Sequence, residues 1–386
     1  MAKTAVKKGM EGIVVTDSEI CSIDGKKGTL RYRGIDVGEL ATHSTYEETV
    51  YLLWFGELPN QSQLTTLRDR LAEEREVDDA VWDLLAGLPD WLQPMEALST
   101  AVSVLSCNDP ESNDDSETAN VNKAIRLVAK MPTIMANFQR RVEGKSLVHP
   151  NPNLNHAENF LYMLRGGEKV TKLEARAMDQ ALVLMAEHEL NASTFAARVT
   201  ASTLSDMYSA IISALGTLKG PLHGGANQRA MKMLVEIGNI DNVEPYITAA
   251  LEAKKRIMGF GHRLYKVIDP RAIYLRQMLT DICVASEDPK WGRLAQNVAE
   301  VVEEKKGLYP NVDFFSAPLF YMMGIPIHLF TPIFAMSRVA GWTAHVMEQY
   351  AHNRLLRPVS AYVGPETKPY VPMSNRNGQF VNDILS

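Results

Sequence analysis

Gly220-Pro221-Leu222-His223-Gly224-Gly225-Ala226-Asn227 sets one histidine on a glycine-flanked corner between two helical stretches. Upstream, residues 203–219 are mostly apolar and read as a buried helix that Gly220-Pro221 stops. Downstream, Asn227 is a candidate N-cap for a helix beginning near Arg229. Gly224 and Gly225 carry no side chain, so backbone and ligand can approach closely there. A plain helix–helix corner with an incidental histidine has the same look, and this segment alone leaves both readings open.

Two more segments extend the pattern. Met258-Gly259-Phe260-Gly261-His262-Arg263-Leu264-Tyr265-Lys266, followed by Asp269-Pro270-Arg271, again places a histidine next to glycine, now among basic residues. Tyr309-Pro310-Asn311-Val312-Asp313-Phe314-Phe315-Ser316 sets one carboxylate among apolar neighbours, a setting that desolvates it and raises its pKa. Singly, Asp313 reads equally well as a helix N-cap and His262 as a turn histidine bonded to backbone. A plain helical protein has no need of all three together.

Helix signals dominate elsewhere. Ser44-Thr45-Tyr46-Glu47 reads as a capping box for a helix ending at Gly56, and Thr171 with Glu174 as a second box. Leu64, Leu67 and Leu71 form a one-sided stripe. Leu173, Ala177, Ala181, Leu184 and His188 fall on one helical face. The best strand signal is a hairpin turning at Asp24-Gly25 between Ile20 and Tyr32. The acidic stretch 107–119 reads as an exposed loop. These signals predict an all-α protein with at most a short N-terminal hairpin.

The run Thr331 to Met347, TPIFAMSRVAGWTAHVM, is apolar nearly all round and reads as a buried helix with Thr331 as N-cap. Its one certain charge is Arg338. A buried guanidinium needs a carboxylate, either an internal Asp or Glu or a dicarboxylate substrate gripped in bidentate fashion. His345 and His352 lie seven apart, but no Cys, Asp or Glu completes a metal spacing with them, so packing and hydrogen bonding are the expected roles.

Composition bounds the rest. With 386 residues, 46% hydrophobic and 22% charged, the chain fits a globular protein with a large core. A net charge of −6 argues against a general nucleic-acid or anionic-membrane binder. Cys21, Cys107 and Cys283 are scattered and suggest neither a disulfide framework nor a zinc site. Neither a secretory h-region nor a spanning apolar run is evident, so the expected location is cytoplasmic.

The three segments resemble the citrate synthase family. The likeness continues through Ile23-Asp24-Gly25, Leu30-Arg31-Tyr32-Arg33-Gly34, His188-Glu189-Leu190-Asn191-Ala192-Ser193-Thr194, Ser337-Arg338-Val339-Ala340-Gly341-Trp342 and Arg357-Pro358, in order along nearly the whole chain. It implies a large helical domain, residues 1–222 and 329–386, and a small one, residues 223–328. It further implies condensation of acetyl-CoA with oxaloacetate, with His223, His262 and Asp313 as catalytic groups. His188, Arg271, Arg338 and Arg357 match oxaloacetate-holding positions, the last supplied by the other subunit of a homodimer. Gly259, Phe260 and Gly261 are candidates for CoA contact by position. Lys266, Lys305 and Lys306 could meet its phosphates, or be ordinary solvated lysines. Neither a metal nor a redox cofactor is implied, since the CoA thioester is itself a substrate. An NADH site is not expected. Phe315 and Ala317 stand where tyrosine and glycine are frequent in the family, which leaves 2-methylcitrate synthase, the same chemistry on propionyl-CoA, as a rival. A non-catalytic CoA- or dicarboxylate-binding relative is the alternative of another class, and the intact triad argues against it.

Overall fold

The computed structural model describes residues 7–10 and 12–376. Among them are sixteen α-helices and one small antiparallel sheet, so the expectation of a helical fold holds. The chain divides into two units: Asp17–Leu356, which holds all sixteen helices, and a small one made of Met1–Thr16 and Arg357–Ser386. Within the described part of the small unit, regular structure is limited to the short 3-10 turns Lys8–Met10 and Met373–Asn375.

The predicted hairpin is present as β1 (Cys21–Asp24) and β2 (Thr29–Tyr32), with Ile23 opposite Leu30. A third strand, β3 (Ile35–Asp36), extends it beyond the expected two. Asp24 Oδ1 accepts from the backbone N–H groups of Lys26 and Lys27, each at 3.0 Å, which closes the turn. The turn lies against residues 264–268. Lys266 N donates to Gly25 O at 2.8 Å, and a Cβ at Gly25 would sit 2.1 Å from Leu264 O. The hairpin therefore braces the loop that carries His262.

Two helices organise the core of the large unit. Glu117–Val142 is 26 residues long and is buried along most of its length. Phe330–Ala351 contacts the Tyr46–Phe55, Lys172–Met185, Ala192–Ser202 and Met207–Leu218 helices, as its all-round apolar pattern requires. A second cluster forms around Val312–Met322, which contacts Ala226–Ile237, Pro270–Ala285 and Lys290–Lys306. Leu64, Leu67 and Leu71 are buried as their stripe predicts, and Thr171 and Glu174 make a reciprocal capping box.

Several boundaries differ from the sequence expectations. The first capping box is real but shifted by one residue, with Thr45 as cap and Glu48 at the third helical position. The helix expected over 203–219 is Met207–Leu218, because Asp206 caps it through the Ser209 N–H. Its successor is Ala226–Ile237, capped by Gly225 in the left-handed region; Asn227 lies inside the helix, and its side chain donates to Phe330 O. Thr331 is buried within Phe330–Ala351 instead of capping it. The helix carrying Leu173 to Leu184 ends at Met185, so His188 sits in the loop beyond it. The acidic stretch is only partly a solvated loop: the buried Asp109 carboxylate holds Arg126 at 2.9 Å and accepts from Tyr208 Oη at 2.6 Å. Among the described residues, no helix is long and apolar enough to cross a membrane.

Candidate active site

Loops and the starts of helices in the large unit, together with the Phe330–Ala351 helix, carry His188, His223, His262, Arg271, Asp313 and Arg338. In the first loop, Gly220 O accepts from both His223 N and Gly224 N, each at 2.9 Å, and Arg229 Nη2 donates to Pro221 O at 2.8 Å. Gly224 is required by the chain itself, since a Cβ there would lie 2.0 Å from Leu218 O. The close approach expected of these glycines is thus first an approach of backbone to backbone. His223 Nε2 faces Ser193, 3.2 Å from its N–H and 2.8 Å from its Oγ. Acceptance from the backbone N–H places the ring proton on Nδ1, the nitrogen left for a ligand. Trp342 Nε1 donates to Ser193 Oγ at 3.1 Å and ties this contact to the Arg338 helix.

The second loop is tightly strapped. Gly261 N donates to Tyr309 O, Asn311 N to Gly259 O and Asn311 Nδ2 to Gly261 O, all at 2.9 Å. Gly259 has φ of 82°, and a Cβ there would meet Phe314 Cβ at 2.7 Å. Phe260 packs on Phe314 with ring centroids 4.5 Å apart. The loop preceding His262 and the turn preceding Asp313 are therefore one construction. His262 Nδ1 accepts from Leu264 N at 3.0 Å and Tyr265 N at 3.3 Å, so the backbone-bonded turn reading is correct for that nitrogen. It also fixes the tautomer: Nε2 carries the proton and is free to donate.

His188 is buried beside this loop, its ring edge-on to His262 at 5.1 Å and its Nε2 3.2 Å from Tyr265 Oη. Asp269 and Arg271 form a buried bidentate pair, Nε to Oδ1 at 2.9 Å and Nη2 to Oδ2 at 2.7 Å. Asp269 Oδ2 also accepts from Val312 N at 3.2 Å, joining this pair to the helix that starts next to Asp313. Arg338 is different. It is buried, donates from Nε to Met185 O at 2.7 Å, lies over the Phe334 ring at 4.9 Å, and has no ion pair among the described residues. Of the two ways to meet a buried guanidinium, an internal carboxylate serves Arg271, while Arg338 keeps its terminal nitrogens for something else.

Asn311, not Asp313, is the cap of the Val312–Met322 helix: its Oδ1 accepts from Asp313 N at 3.0 Å. The Asp313 carboxyl is released from capping, on a residue that is half-buried. Its pKa rises to about 6 because burial outweighs the attraction of Arg271, with Asp269 adding repulsion. Burial moves the histidines the other way. His223 falls to about 4, helped by Arg338, and His262 to about 4, helped by Arg271. His188 drops well below its ordinary value through burial and then Arg271. Near neutral pH the site therefore holds one carboxylate of base-like pKa among neutral histidine donors.

A cavity of about 230 Å³ opens here, lined by Gly261, His262, Lys266 and the turn 307–311. Lys305 does not line it; this exposed side chain pairs with Glu244 at 2.8 Å, and Lys306 is exposed at the end of the same helix. Arg357 belongs to the small unit, where its side chain is exposed. Among the described residues no three His, Cys, Asp or Glu side chains converge to hold a metal ion. A larger cavity, about 780 Å³, lies between the Pro270–Ala285 and Lys290–Lys306 helices and shares no residue with the first. Its walls are mainly apolar and its Arg276 and Arg293 are offset by Glu287 and Glu300, so the smaller cavity is where polar groups converge. Ser193, Asp269, Tyr265 and Arg229 were not singled out in the sequence. Of these only Asp269 had a signal, as an acidic residue before Pro-Arg at a helix start.

Known proteins are similar to this chain along nearly its whole length. The family model described as citrate synthase, C-terminal domain, matches residues 9–359. Citrate synthase 2 of Bacillus subtilis is 46% identical over 370 residues, 96% of this chain and 99% of that protein. A 2-methylcitrate synthase of Mycobacterium tuberculosis is 42% identical over 363 residues, 94% of this chain and 92% of that one. The crystal structure of citrate synthase from Thermotoga maritima superposes with a TM-score of 0.87 at 43% identity, covering 97% of this chain and all of that one. A ternary complex of citrate synthase from Thermoplasma acidophilum with carboxymethyl coenzyme A and oxaloacetate superposes at 0.90, with 34% identity, over 96% and 100% of the two chains. The chain belongs to the citrate synthase family and is an enzyme of its condensing acyltransferase class.

Proposed function

We propose that this enzyme condenses acetyl-CoA with oxaloacetate and water to give citrate and CoA. The observation that carries the reading is a carboxyl of raised pKa under the influence of Arg271 and Arg338, the two arginines that also act on His262 and His223, with Arg338 having no ion pair among the described residues. Asp313 takes a proton from the acetyl methyl group. His223 donates from Nδ1 to the thioester oxygen, which stabilises the enolate as it forms. The enolate carbon attacks the ketone carbon of oxaloacetate, whose oxygen receives a hydrogen bond from His262 Nε2. His188, Arg271 and Arg338 hold the carboxylates and fix orientation. Water then cleaves the thioester and releases CoA. Gly259, Phe260, Gly261 and Lys266 are the proposed CoA contacts; Lys305 and Lys306 are weaker candidates for its phosphates.

Purified protein is expected to release free thiol from acetyl-CoA only when oxaloacetate is present. No oxaloacetate-dependent release at neutral pH would remove this reading. Relatives bearing the name 2-methylcitrate synthase stand at 42% and 39% identity, close to those named citrate synthase, which supports propionyl-CoA as the second substrate to test. One methylene is worth only about 1–3 kcal/mol in a pocket. A higher kcat/KM for propionyl-CoA in the same assay decides for the 2-methylcitrate reaction.

We further propose a homodimer in which Arg357 completes the partner's oxaloacetate site. Residues 223–328 then close as a small domain on the rest when oxaloacetate binds, building the acyl-CoA site and excluding water. Small-angle scattering reads both features. The expected result is a dimeric mass and a smaller radius of gyration at saturating oxaloacetate; an active monomer counts against the first, an unmoved radius against the second.

A further inference from the structure

Glu187 precedes His188 and is fully buried against the Phe330–Ala351 helix. Arg338, Gly341 and His345 follow one another by three and four residues along one face of that helix, and all three meet the segment 185–187. Gly341 makes room for the carboxylate, since a Cβ there would lie 2.1 Å from Glu187 Oε2. His345 Nε2 lies 3.1 Å from Glu187 Oε1. Its direction is fixed by Arg198, whose Nη1 is 3.0 Å from His345 Nδ1. A guanidinium can only donate, so Nδ1 accepts and the ring proton on Nε2 is given to Glu187. Arg198 is itself held by Gln349 and Glu348.

This clamp leaves an unusual pair of neighbours. Glu187 Oε2 is buried and has no hydrogen-bond partner, while Arg338 nearby has no ion pair among the described residues. Burial depresses the pKa of Arg338, and Glu187 is the strongest influence opposing that. A direct salt bridge would satisfy both groups, yet His345 holds the carboxylate one turn farther along the helix. We propose that Glu187 is a positioning residue for substrate affinity: clamped by His345, it neutralises Arg338 electrostatically in the empty site while leaving the guanidinium nitrogens free to grip a dicarboxylate. It thereby keeps binding of that anion looser than Arg338 alone would make it. This inference rests on the proposed role of Arg338 in holding oxaloacetate.

Glu187→Gln keeps an oxygen for His345 Nε2 and removes the charge. Titration calorimetry of the full chain with oxaloacetate, without acyl-CoA, is expected to show binding about tenfold tighter than in the parent, as a nearby like charge is removed. The KM for acyl-CoA should not move. A residue with only a packing role gives no such split, and binding unchanged or weakened in Glu187→Gln overturns the proposal. Should that variant not fold, His345→Leu provides the opposite sign: the freed carboxylate can close on Arg338, and oxaloacetate binding should weaken about tenfold. Unchanged binding there also overturns it. A parent that does not bind oxaloacetate overturns instead the reading of the site on which this one rests.

Discussion

Replacing Asp313 by asparagine is expected to lower kcat by roughly two to four orders of magnitude, the usual contribution of a positioned general base. Oxaloacetate affinity should stay close to the parent's, because Arg271, Arg338 and His188 are untouched. The pH dependence gives a second, independent signature. With a pKa of about 6, Asp313 is ionised at pH 7, and kcat/KM of the parent should fall as pH drops through about 6. His223 and His262, at about 4, are neutral across that range and add no limb of their own there. The residual activity of Asp313→Asn should lack this acid limb. Stability should move the other way from activity. A carboxyl whose folded pKa lies above its unfolded value destabilises the fold at neutral pH, and that cost is relieved as pH falls through the folded pKa. The asparagine variant should therefore be as stable as the parent or more so. A variant retaining its rate within about tenfold of the parent would leave Asp313 without a role as base, since even a modest base supplies more than that.

Arg338→Leu is expected to fail in a different place. Removing one partner of a buried charge-assisted contact typically costs about 2–5 kcal/mol, a loss of roughly thirtyfold to several thousandfold in affinity. The KM for oxaloacetate should rise by that order, with a far smaller effect on the KM for acetyl-CoA. The empty protein should lose stability as well, since Glu187 is left without the positive charge that compensates it and Met185 O without its donor. A melting temperature below the parent's, together with lost oxaloacetate binding, is the expected pairing. A variant that binds oxaloacetate normally would mean that the free guanidinium nitrogens meet some other group.

The two substitutions separate because the two side chains are held differently. Asp313 sits at the start of a helix but is excused from capping by Asn311, so its carboxyl is both half-buried and available. Arg338 hangs from a helix buried on several sides and, among the described residues, is hydrogen-bonded only through Nε. Arg271 contrasts with both: its bidentate pairing with Asp269 builds the wall between the His262 loop and the Val312–Met322 helix. Its remaining Nη1 is the part available to a ligand.

Sequence by itself determined the helical class, the hairpin, and the residue types that converge on the site. Local rules sufficed there: capping boxes, apolar periodicity, and a glycine adjacent to His223 and to His262 are properties of neighbouring residues. It also established that Arg338 must be buried, because it is the one certain charge in the apolar run Thr331 to Met347. Only the tertiary structure decided which cation met an internal carboxylate, which nitrogen of each histidine carries its proton, and why the glycines are needed. Those outcomes depend on contacts between residues far apart in the chain, Gly259 with Phe314, His223 with Ser193, Glu187 with His345, and no local pattern encodes such a meeting. Even the helix starts followed this division. Thr45, Asn311 and Gly225 became caps over their neighbours because packing fixed where each helix could begin, and two residues of shift were enough to free Asp313.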